Sequence, residues 1–279
     1  CGGSNGLFSA TNNSDIHLID GEVHNAGSNK LLDGNSRWHL FNMELHDGTS
    51  TAELVELGGN AKVVGCYIHD TSTAGRLLEV SNDSFVYGNF FKSSRDDLVR
   101  CLSSSISVIN NIIFCTDTGS TAIALASSVC NVCNNTCYNS TAGTQEGILS
   151  THTNAHTNFI ANNIIEGWSG TGGNGIEVAN SGHYLFNNRF YNNTTNITAS
   201  DGLMLEVDSV TLGASPFTDP SSNDFTIQDD ETDIQGVAYP TNIGGAAITS
   251  SPTYLDIGAV QREEPAGGGS SANYYIGGM

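Results

Sequence analysis

The sequence predicts an all-β fold, a single-stranded right-handed parallel β-helix of about 8–9 coils with 22–28 residues in each coil. Two observations predict it. A short pattern of asparagine and apolar residues recurs at a period within the range that is typical of solenoids. Within each repeat, apolar residues alternate with polar ones, which indicates strands with one buried face.

An asparagine occupies the same position in five consecutive repeats, and an apolar residue follows it two positions later each time. These asparagines are Asn89, Asn111, Asn135, Asn163 and Asn188. The same register continues upstream through Gly21, Met43 and Cys66. Because in-register coils stack roughly 4.8 Å apart, the asparagines are predicted to form an internal hydrogen-bonded ladder. A glycan-binding role for the column is the alternative.

Two apolar columns precede the asparagines and predict the inward face of a second strand in each coil. The nearer column lies three residues upstream and is apolar at every level. Its members are Leu18, Leu40, Val63, Val86, Val108, Val132, Ile160 and Leu185. The other column begins at Ile16 and Trp38 and becomes polar at Asn158 and His183. No period of 3.6 residues is sustained, which argues against a helical solenoid.

A further short strand is predicted to open each coil, so that each coil has three strands joined by bends rich in Gly, Asn, Ser and Asp. The predicted opening strands cover residues 54–57, 77–80, 98–101, 122–125, 176–178 and 203–207. In the last of them, Leu205 and Val207 are expected to point into the core.

The C-terminal quarter departs from the repeat. It contains the runs Asn-Asp-Phe-Thr-Ile-Gln at residues 223–228 and Tyr-Leu-Asp-Ile-Gly-Ala-Val-Gln at residues 254–261. Together they resemble the "DF-x-L" and "DIGA-x-E/Q" strands that close many right-handed parallel β-helix repeat proteins. The resemblance implies that fold and an extracellular, cell-surface or virion location, as on bacterial surfaces and in bacteriophage particles. We predict coils over residues 1–210, a closing segment over 211–262, and a Gly/Ser-rich tail with an apolar tip over 263–279.

The charge balance limits the partners. Nine Lys and Arg stand against 29 Asp and Glu, a formal net charge of −20. This balance argues against binding to nucleic acid or to an anionic membrane surface. No apolar run approaches the roughly 18 residues of a membrane span, so none is expected. No cofactor is predicted, although calcium is compatible with the enzymatic alternative below.

The seven cysteines include a run whose spacing is found in metal and iron–sulfur sites: Cys130, Cys133 and Cys137. In the register of the repeat, Cys130, Cys137 and also Cys101 fall in inward columns. Buried cysteine behaves as a small hydrophobic residue, so core packing is the prediction. A disulfide or a metal site is the alternative.

One outward column carries candidate catalytic residues. Asp33, Glu56, Glu79 and Arg100 stack at steps of 23, 23 and 21 residues on the opening strands. Carboxylates at strand spacing repel each other, which raises the pKa of one and suits it to general acid catalysis. Retaining glycosidases hold two carboxyl groups at a similar separation. A solvated column of stacked charges is the alternative. Further charged residues are expected nearby: Arg76, Lys92, Arg95, Asp96 and Asp97.

A second outward column stacks His24, His46 and His69, followed by Lys92. Neighbouring imidazoles at strand spacing could share a transition metal, which makes the three histidines candidate metal ligands. A solvent-facing histidine column without metal is the alternative, and such a column would be sensitive to pH.

Aromatic residues of the later coils are candidates for binding a sugar ring or a subunit. They are Tyr138, Trp168, Tyr184 and Tyr191. In the tail, Tyr274 and Tyr275 are candidates for docking on a neighbouring subunit, and a dangling tail is the alternative.

Two functions follow from these features. The first is a non-enzymatic structural or adhesion module, a fibre, spike or decoration protein of a virion or a cell-surface module. Its expected partners are further copies of the chain in a homotrimer, other virion or surface proteins, and glycans on its outer faces. The second is a polysaccharide lyase or glycoside hydrolase whose centre is formed by Glu56, Glu79 and Arg100. The short turns favour the first, because β-helix enzymes of this kind form their clefts with longer loops.

Overall fold

A computed structural model of the chain describes residues 8–10, 15–27, 30–48, 51–126, 129–151, 157–179, 182–199, 204–228, 232–234 and 257–259. These residues form a parallel β-solenoid of about eight turns, which confirms the predicted fold class. Their one helical element is a single 3₁₀ turn at Pro220–Ser222. Within the same ranges, no helix is long and apolar enough to cross a membrane.

The coils stack into three parallel sheets, which we call sheets 1, 2 and 3 in the order in which each coil enters them. Sheet 1 contains nine strands: Phe8–Ser9, Leu32–Gly34, Glu53–Leu57, Arg76–Val80, Asp97–Cys101, Thr121–Leu125, Glu146–Ser150, Asn174–Val178 and Thr195–Ala199. Two long strands, Asp15–Gly27 and Arg37–Gly48, run through both sheet 2 and sheet 3.

After these long strands, each coil contributes one short strand to sheet 2 and one to sheet 3. Sheet 2 continues with Lys62–Val64, Phe85–Tyr87, Ile106–Ile109, Cys130–Cys133, Phe159–Ala161, His183–Phe186 and Met204–Val207. Sheet 3 continues with Tyr67–His69, Phe90–Ser93, Ile112–Cys115, Thr136–Asn139, Ile164–Glu166, Arg189–Tyr191 and Val210–Thr211. The last described elements are the antiparallel strands Phe217–Asp219 and Asp224–Ile227.

The inward columns form one continuous core. The apolar column of sheet 2 is fully buried from Leu40 to Leu185, and its neighbouring column is buried from Trp38 to His183. The second column remains buried after it turns polar because its side chains bond the next coil. Asn158 Oδ1 accepts a hydrogen bond from the Cys130 backbone N–H at 2.8 Å.

The asparagine column is the predicted internal ladder. Each Nδ2 donates to the Oδ1 of the asparagine in the next coil, over 2.9 Å from Asn89 to Asn111 and 3.0 Å from Asn111 to Asn135. The series continues through Asn163 to Asn188. Each Oδ1 also accepts the backbone N–H of the preceding level, and each Nδ2 also donates to a carbonyl such as that of Val63. All five side chains are buried.

The left-handed bend lies one residue before the ladder. Asn110, Asn134, Asn162 and Asn187 have φ between 54° and 56°, and the equivalent Gly88 has φ 64°. Asparagine and glycine tolerate this conformation better than other residues. The two consecutive asparagines of a coil therefore have different roles. The first adopts the left-handed bend, and the second forms the hydrogen bonds that join neighbouring coils.

One strand assignment made from the sequence is corrected. Residues 203–207 do not open a coil, because Met204–Val207 pairs with His183–Phe186 in sheet 2. Leu205 consequently faces outward and is 50% exposed, and Val207 lies on the same outer side as Phe186. The sheet 1 strand of that coil is Thr195–Ala199, in which Ile197 pairs with Ile176 and is the only large apolar residue.

The predicted core role of the cysteines is confirmed for the residues described. Six cysteines of the described residues are buried and form no disulfide: Cys66, Cys101, Cys115, Cys130, Cys133 and Cys137. Cys101, Cys130 and Cys137 belong to the main core, whereas Cys133 packs with Ile109 and Ala161. Burial raises the pKa of the Cys66 thiol to about 11, which keeps it protonated at neutral pH.

The described parts of the predicted closing segment pack along the side of the solenoid. Phe225 contacts the rings of Phe90, Phe114 and Tyr138 on the outer face of sheet 3. Ile257 is buried in the same cluster, and the Gly258 N–H donates to the Asn162 carbonyl at 2.9 Å. A Cβ on Gly258 would lie 2.6 Å from Ile164 Cδ1. Residues 263–279, including Tyr274 and Tyr275, lie outside the described residues.

Replacing Asn135 by alanine tests the ladder. The Asn135→Ala variant leaves the Asn111 amide groups and the Val108 carbonyl without their buried partners. Each such group costs about 1–3 kcal/mol, so the free energy of unfolding should fall by roughly 3 kcal/mol or more in chemical denaturation. The matched control is Asn131→Ala, a half-buried asparagine on the outer face of the same coil. Equal losses in the two variants would contradict a ladder role.

Candidate functional site

The charged residues of the first coils lie together on the outer face of sheet 1. In the strand Glu53–Leu57, both Leu54 and Val55 point into the core, so Glu53 and Glu56 on either side of them face outward. The same arrangement repeats in neighbouring coils and produces two charged columns. We call these eight residues the charged cluster: Lys30, Asp33, Glu53, Glu56, Arg76, Glu79, Asp97 and Arg100.

The predicted column of the cluster is confirmed. Asp33 stands beside Glu56, Glu56 beside Glu79, and Glu79 beside Arg100. The sequence reasoning missed the second column, in which Glu53, Arg76 and Asp97 are register partners and Lys30 lies next to Glu53. Its signal was available in the sequence, because its charges recur at the same steps and alternate in sign.

Every carboxylate of the charged cluster is paired with one of its three cations. Lys30 Nζ contacts Glu56, lies 3.0 Å from Glu53 Oε2, and lies 3.7 Å from Asp33 Oδ1. The Arg76 guanidinium bonds Glu53 at 2.5 Å and lies 3.4 Å from Glu79 and 3.5 Å from Asp97. Arg100 Nε is 4.0 Å from Glu79 Oε2.

These contacts move the carboxyl pKa values in opposite directions. Burial alone would raise the pKa of Glu53, but the hydrogen bonds and charge of Lys30 and the hydrogen bond of Arg76 lower it below its ordinary value. Burial and the charges of Glu53 and Glu56 raise the pKa of Glu79 to about 7, although Arg76 opposes the rise. A carboxyl group with this pKa can exchange a proton near neutral pH.

Three residues that were expected near the charged cluster make their contacts elsewhere. The Arg95 guanidinium is fully buried and bonds Asp70 Oδ2 at 2.6 Å and the Ala74 carbonyl at 2.7 Å. Two guanidinium nitrogens donate to this one Asp70 oxygen, and the buried pair fixes the corner between sheets 3 and 1. Lys92 lies on sheet 3, where Nζ donates to Asn223 Oδ1 at 3.0 Å, and Asp96 accepts the Gly75 N–H.

The three candidate histidines stack as predicted. The ring centroids of His24 and His46 are 5.2 Å apart, and those of His46 and His69 are 4.9 Å apart. The sequence reasoning missed the glutamates two residues before the first two histidines. Glu22 Oε1 lies 2.9 Å from His46 Nε2, and Glu44 Oε1 lies 3.0 Å from His69 Nε2. The ligand atoms that converge are those of Glu22, His24 and His46.

Most of the candidate aromatic residues are used in packing. Trp168 was expected at the surface, but it is fully buried and its indole N–H donates to the Ser120 carbonyl at 3.2 Å. Tyr138 and Tyr191 are half-buried and pack against the apolar cluster that contains Phe225 and Ile257 of the closing segment. Tyr184 remains 43% exposed on sheet 2 and is the member of the set that offers a free ring face.

An apolar column on the outer face of sheet 2 escaped the sequence reasoning. We call it the apolar stripe, and it places one apolar residue in each coil. Its members are Ile19, Phe41, Val64, Tyr87, Ile109, Cys133, Ala161, Phe186 and Val207. Phe85, Phe159, Tyr184 and Leu205 widen it on one side. The stripe lies directly before the left-handed bend, one residue upstream of positions such as Asn42, Asn110 and Asn187.

Glu146 is a carboxylate of sheet 1 that lies outside the charged cluster and is not paired with Lys30, Arg76 or Arg100. Its register neighbour is Asn174, it bonds Thr121, and its Oε2 is buried without a hydrogen-bond partner. Burial, together with the charge of Glu177, raises its pKa to about 7. The contrast with Glu53 shows that Lys30 and Arg76 keep the Glu53 carboxylate ionised despite its burial, whereas the burial of Glu79 outweighs its cations.

Comparison of the chain with protein-family models, with curated proteins and with solved structures found no match.

The protein surface has a shallow polar depression lined by Asn35, Arg37, Gly59 and Asn60, which contains none of the candidate catalytic residues.

Replacing Glu146 by glutamine should change the pH dependence of stability. Because the folded pKa lies above the ordinary value of 4.5, the unfolded chain loses this proton first. Wild-type stability should therefore fall between about pH 4.5 and pH 7, and Glu146→Gln should lack that part of the fall. Relative to wild type, the variant should gain about 1–3 kcal/mol between pH 4 and pH 8 in denaturation curves. Glu206→Gln, at an exposed site, is the control, and an equal gain there would refute the assignment.

Proposed function

We propose that this chain is a non-enzymatic structural module, a β-solenoid fibre, spike or decoration protein of a virion or a module of a cell surface. The pairing of every carboxylate in the charged cluster with Lys30, Arg76 or Arg100 carries the proposal. Charges that neutralise each other across coils bind one coil to the next. Since partly buried pairs contribute more than exposed ones, this outer face acts as a stabilising network.

The same geometry argues against acid–base catalysis on sheet 1. A glycosidase needs an ionised carboxylate and a protonated carboxyl group that both face the glycosidic bond. Here Lys30 lies between Glu53 and Glu56, and the Arg76 guanidinium lies between Glu53 and Glu79. A sugar ring placed between these carboxyl groups would have to displace the cations that pair with them.

The apolar stripe supports the proposed self-assembly. Nine residues at strand spacing give a stripe roughly 40 Å long. Its members Ile109, Cys133 and Ala161 are buried, but Ile19 in the stripe and Tyr184 and Leu205 beside it are exposed. Exposed apolar residues that group on one face mark interaction sites in soluble proteins. The members of the stripe carry no formal charge, so this face avoids the repulsion that a net charge of −20 imposes on two copies elsewhere. We propose that a homotrimer forms with the three stripes turned toward a common axis.

The other proposed partners are glycans and neighbouring proteins of the virion or cell surface. Tyr184 supports a glycan contact in a copy that is not assembled, because its exposed ring provides a face on which a sugar can stack. In the proposed trimer this ring is covered, so glycan binding and self-assembly compete for this face. The proposed extracellular or virion location rests on the closing motif of the sequence, of which Phe225, Ile227 and Ile257 pack in the apolar cluster on sheet 3.

One observation favours the enzymatic alternative. Glu79 has a pKa raised to about 7, and it stands next to Glu56 at strand spacing with Arg100 on its other side. A polysaccharide lyase or glycoside hydrolase could use Glu79 as the proton donor, Glu56 as the second carboxylate and Arg100 to bind an acidic sugar.

Sedimentation and native mass spectrometry test the assembly. The wild-type protein should have the mass of three copies, whereas Tyr184→Lys combined with Leu205→Lys should give single copies, because two charges then enter the stripe. Both side chains are at least 43% exposed, so the fold should tolerate the change. Leu102→Lys, at an exposed site outside the stripe, is the control and should remain trimeric. A wild-type monomer would refute the proposed assembly, and a dimer would replace the trimer.

A polysaccharide panel tests the absence of catalysis. Incubation of neutral and acidic polysaccharides with wild type and with Glu79→Gln should release equal, background amounts of reducing ends and of unsaturated sugars. Depolymerisation by wild type that is lost in Glu79→Gln, but kept in Glu206→Gln, would establish the enzymatic alternative.

A further inference from the structure

The first two coils bring together three metal-binding side chains on the outer face of sheet 3. The ligand atoms of Glu22, His24 and His46 all lie within 4.8 Å of one another. Glu22 Oε1 is 2.9 Å from His46 Nε2 and 3.6 Å from His24 Nε2. Ligand atoms of tetrahedral zinc, bound at about 2.0–2.1 Å, lie about 3.3–3.4 Å apart, so the two separations bracket the value that the metal requires.

His46 is already held in the orientation that a metal ligand needs. Its Nδ1 lies 3.0 Å from Asp47 Oδ2, while its Nε2 faces Glu22. A carboxylate on one ring nitrogen fixes the tautomer and leaves the other nitrogen available to the metal. The His46 side chain is only 15% exposed, so the surrounding residues keep the ring in place.

The other two ligands have room to adjust. The rings of His24 and His46 are nearly parallel, at 6°, so their lone pairs do not yet point at one common position. Binding a shared ion therefore requires the His24 ring to tilt. The side chains of His24 and Glu22 are 45% and 53% exposed, which leaves space for that rotation.

Neighbouring histidines lack this combination. His17 and His39 also stack, with centroids 4.5 Å apart, but Arg37 pairs with the Asp15 carboxylate beside them and Lys62 is the next residue in their column. The positive charges of Arg37 and Lys62 repel a divalent cation and disfavour its binding there. One coil further along, His69 bonds Glu44 and packs on the Tyr67 ring at 4.0 Å. Among the described residues, Glu22, His24 and His46 are therefore the group that brings two imidazoles and a carboxylate within 4.8 Å of one another without a cation beside them.

We propose that Glu22, His24 and His46 bind one divalent transition-metal ion, for which zinc is the best match to two nitrogen ligands and one carboxylate oxygen. The fourth position faces solvent and is open to water or to a ligand from a partner. Because Glu22 and His24 belong to the first coil and His46 to the second, the ion joins the two coils. Binding stabilises the folded state by mass action and fixes the first coil of the solenoid.

Calorimetric titration of the metal-free full chain with zinc chloride tests the proposal. We expect one zinc per chain, a melting temperature that rises with zinc, and an absorption spectrum of tetrahedral cobalt when cobalt replaces zinc. Glu22→Gln and His24→Ala should each weaken zinc binding roughly tenfold or more. Both residues are exposed, so these variants should fold, and circular dichroism without metal checks that they do.

The matched control is His17→Ala, which removes an exposed histidine of the same strand without touching the site. It should bind zinc as wild type does. Absence of zinc binding in wild type would overturn the proposal. Binding that survives in Glu22→Gln and His24→Ala, or that is lost in His17→Ala, would also overturn it, because the ion would then lie elsewhere.

Discussion

The in-register stacking of coils is the constraint on which the rest of the structure depends. Parallel strands hold equivalent residues at one fixed spacing, so each position of the repeat becomes a column that must be compatible with itself. The buried asparagine column meets this requirement fully, because each side chain both donates to and accepts from its neighbours. The ladder fixes the register, and the register then determines which charges, rings and imidazoles meet on the three outer faces.

Each outer face solves the problem of stacking in a different way. Sheet 1 alternates cations and carboxylates, as at Lys30, Glu53 and Arg76, so that neighbours attract. Sheet 3 stacks rings such as Tyr67 and Phe90, and Phe225 of the closing segment covers Phe90 and Phe114. Sheet 2 stacks apolar residues that keep exposed members at Tyr184 and Leu205. Because apolar residues remain exposed on sheet 2 and the charges of sheet 1 are paired with each other, we propose that sheet 2 mediates self-assembly and that sheet 1 stabilises the fold.

The sequence was sufficient for the fold and for the columns that a single residue type marks. Asn135 and its equivalents, the stacked histidines and the column from Asp33 to Arg100 were predictable because the repeat period aligns them. The apolar stripe was not found because its residue types change from coil to coil, and the partner column of Lys30 and Arg76 was overlooked although its charges recur at the same steps. Trp168 was misplaced since a large aromatic residue in a turn gives no sequence signal of the side to which it points. The strand Thr195–Ala199 was missed because Ile197 is its only large apolar residue.

A double-mutant cycle on Glu53 and Arg76 tests the central claim, that the charged cluster is there to hold coils together. The free energies of unfolding of wild type, Glu53→Gln, Arg76→Met and the double variant give the coupling between the two side chains. A stabilising network predicts that each single change destabilises the protein and that the coupling is favourable by about 1 kcal/mol or more. A coupling near zero, with variants more stable than wild type, would contradict the account, since charges kept at the expense of stability indicate a functional site.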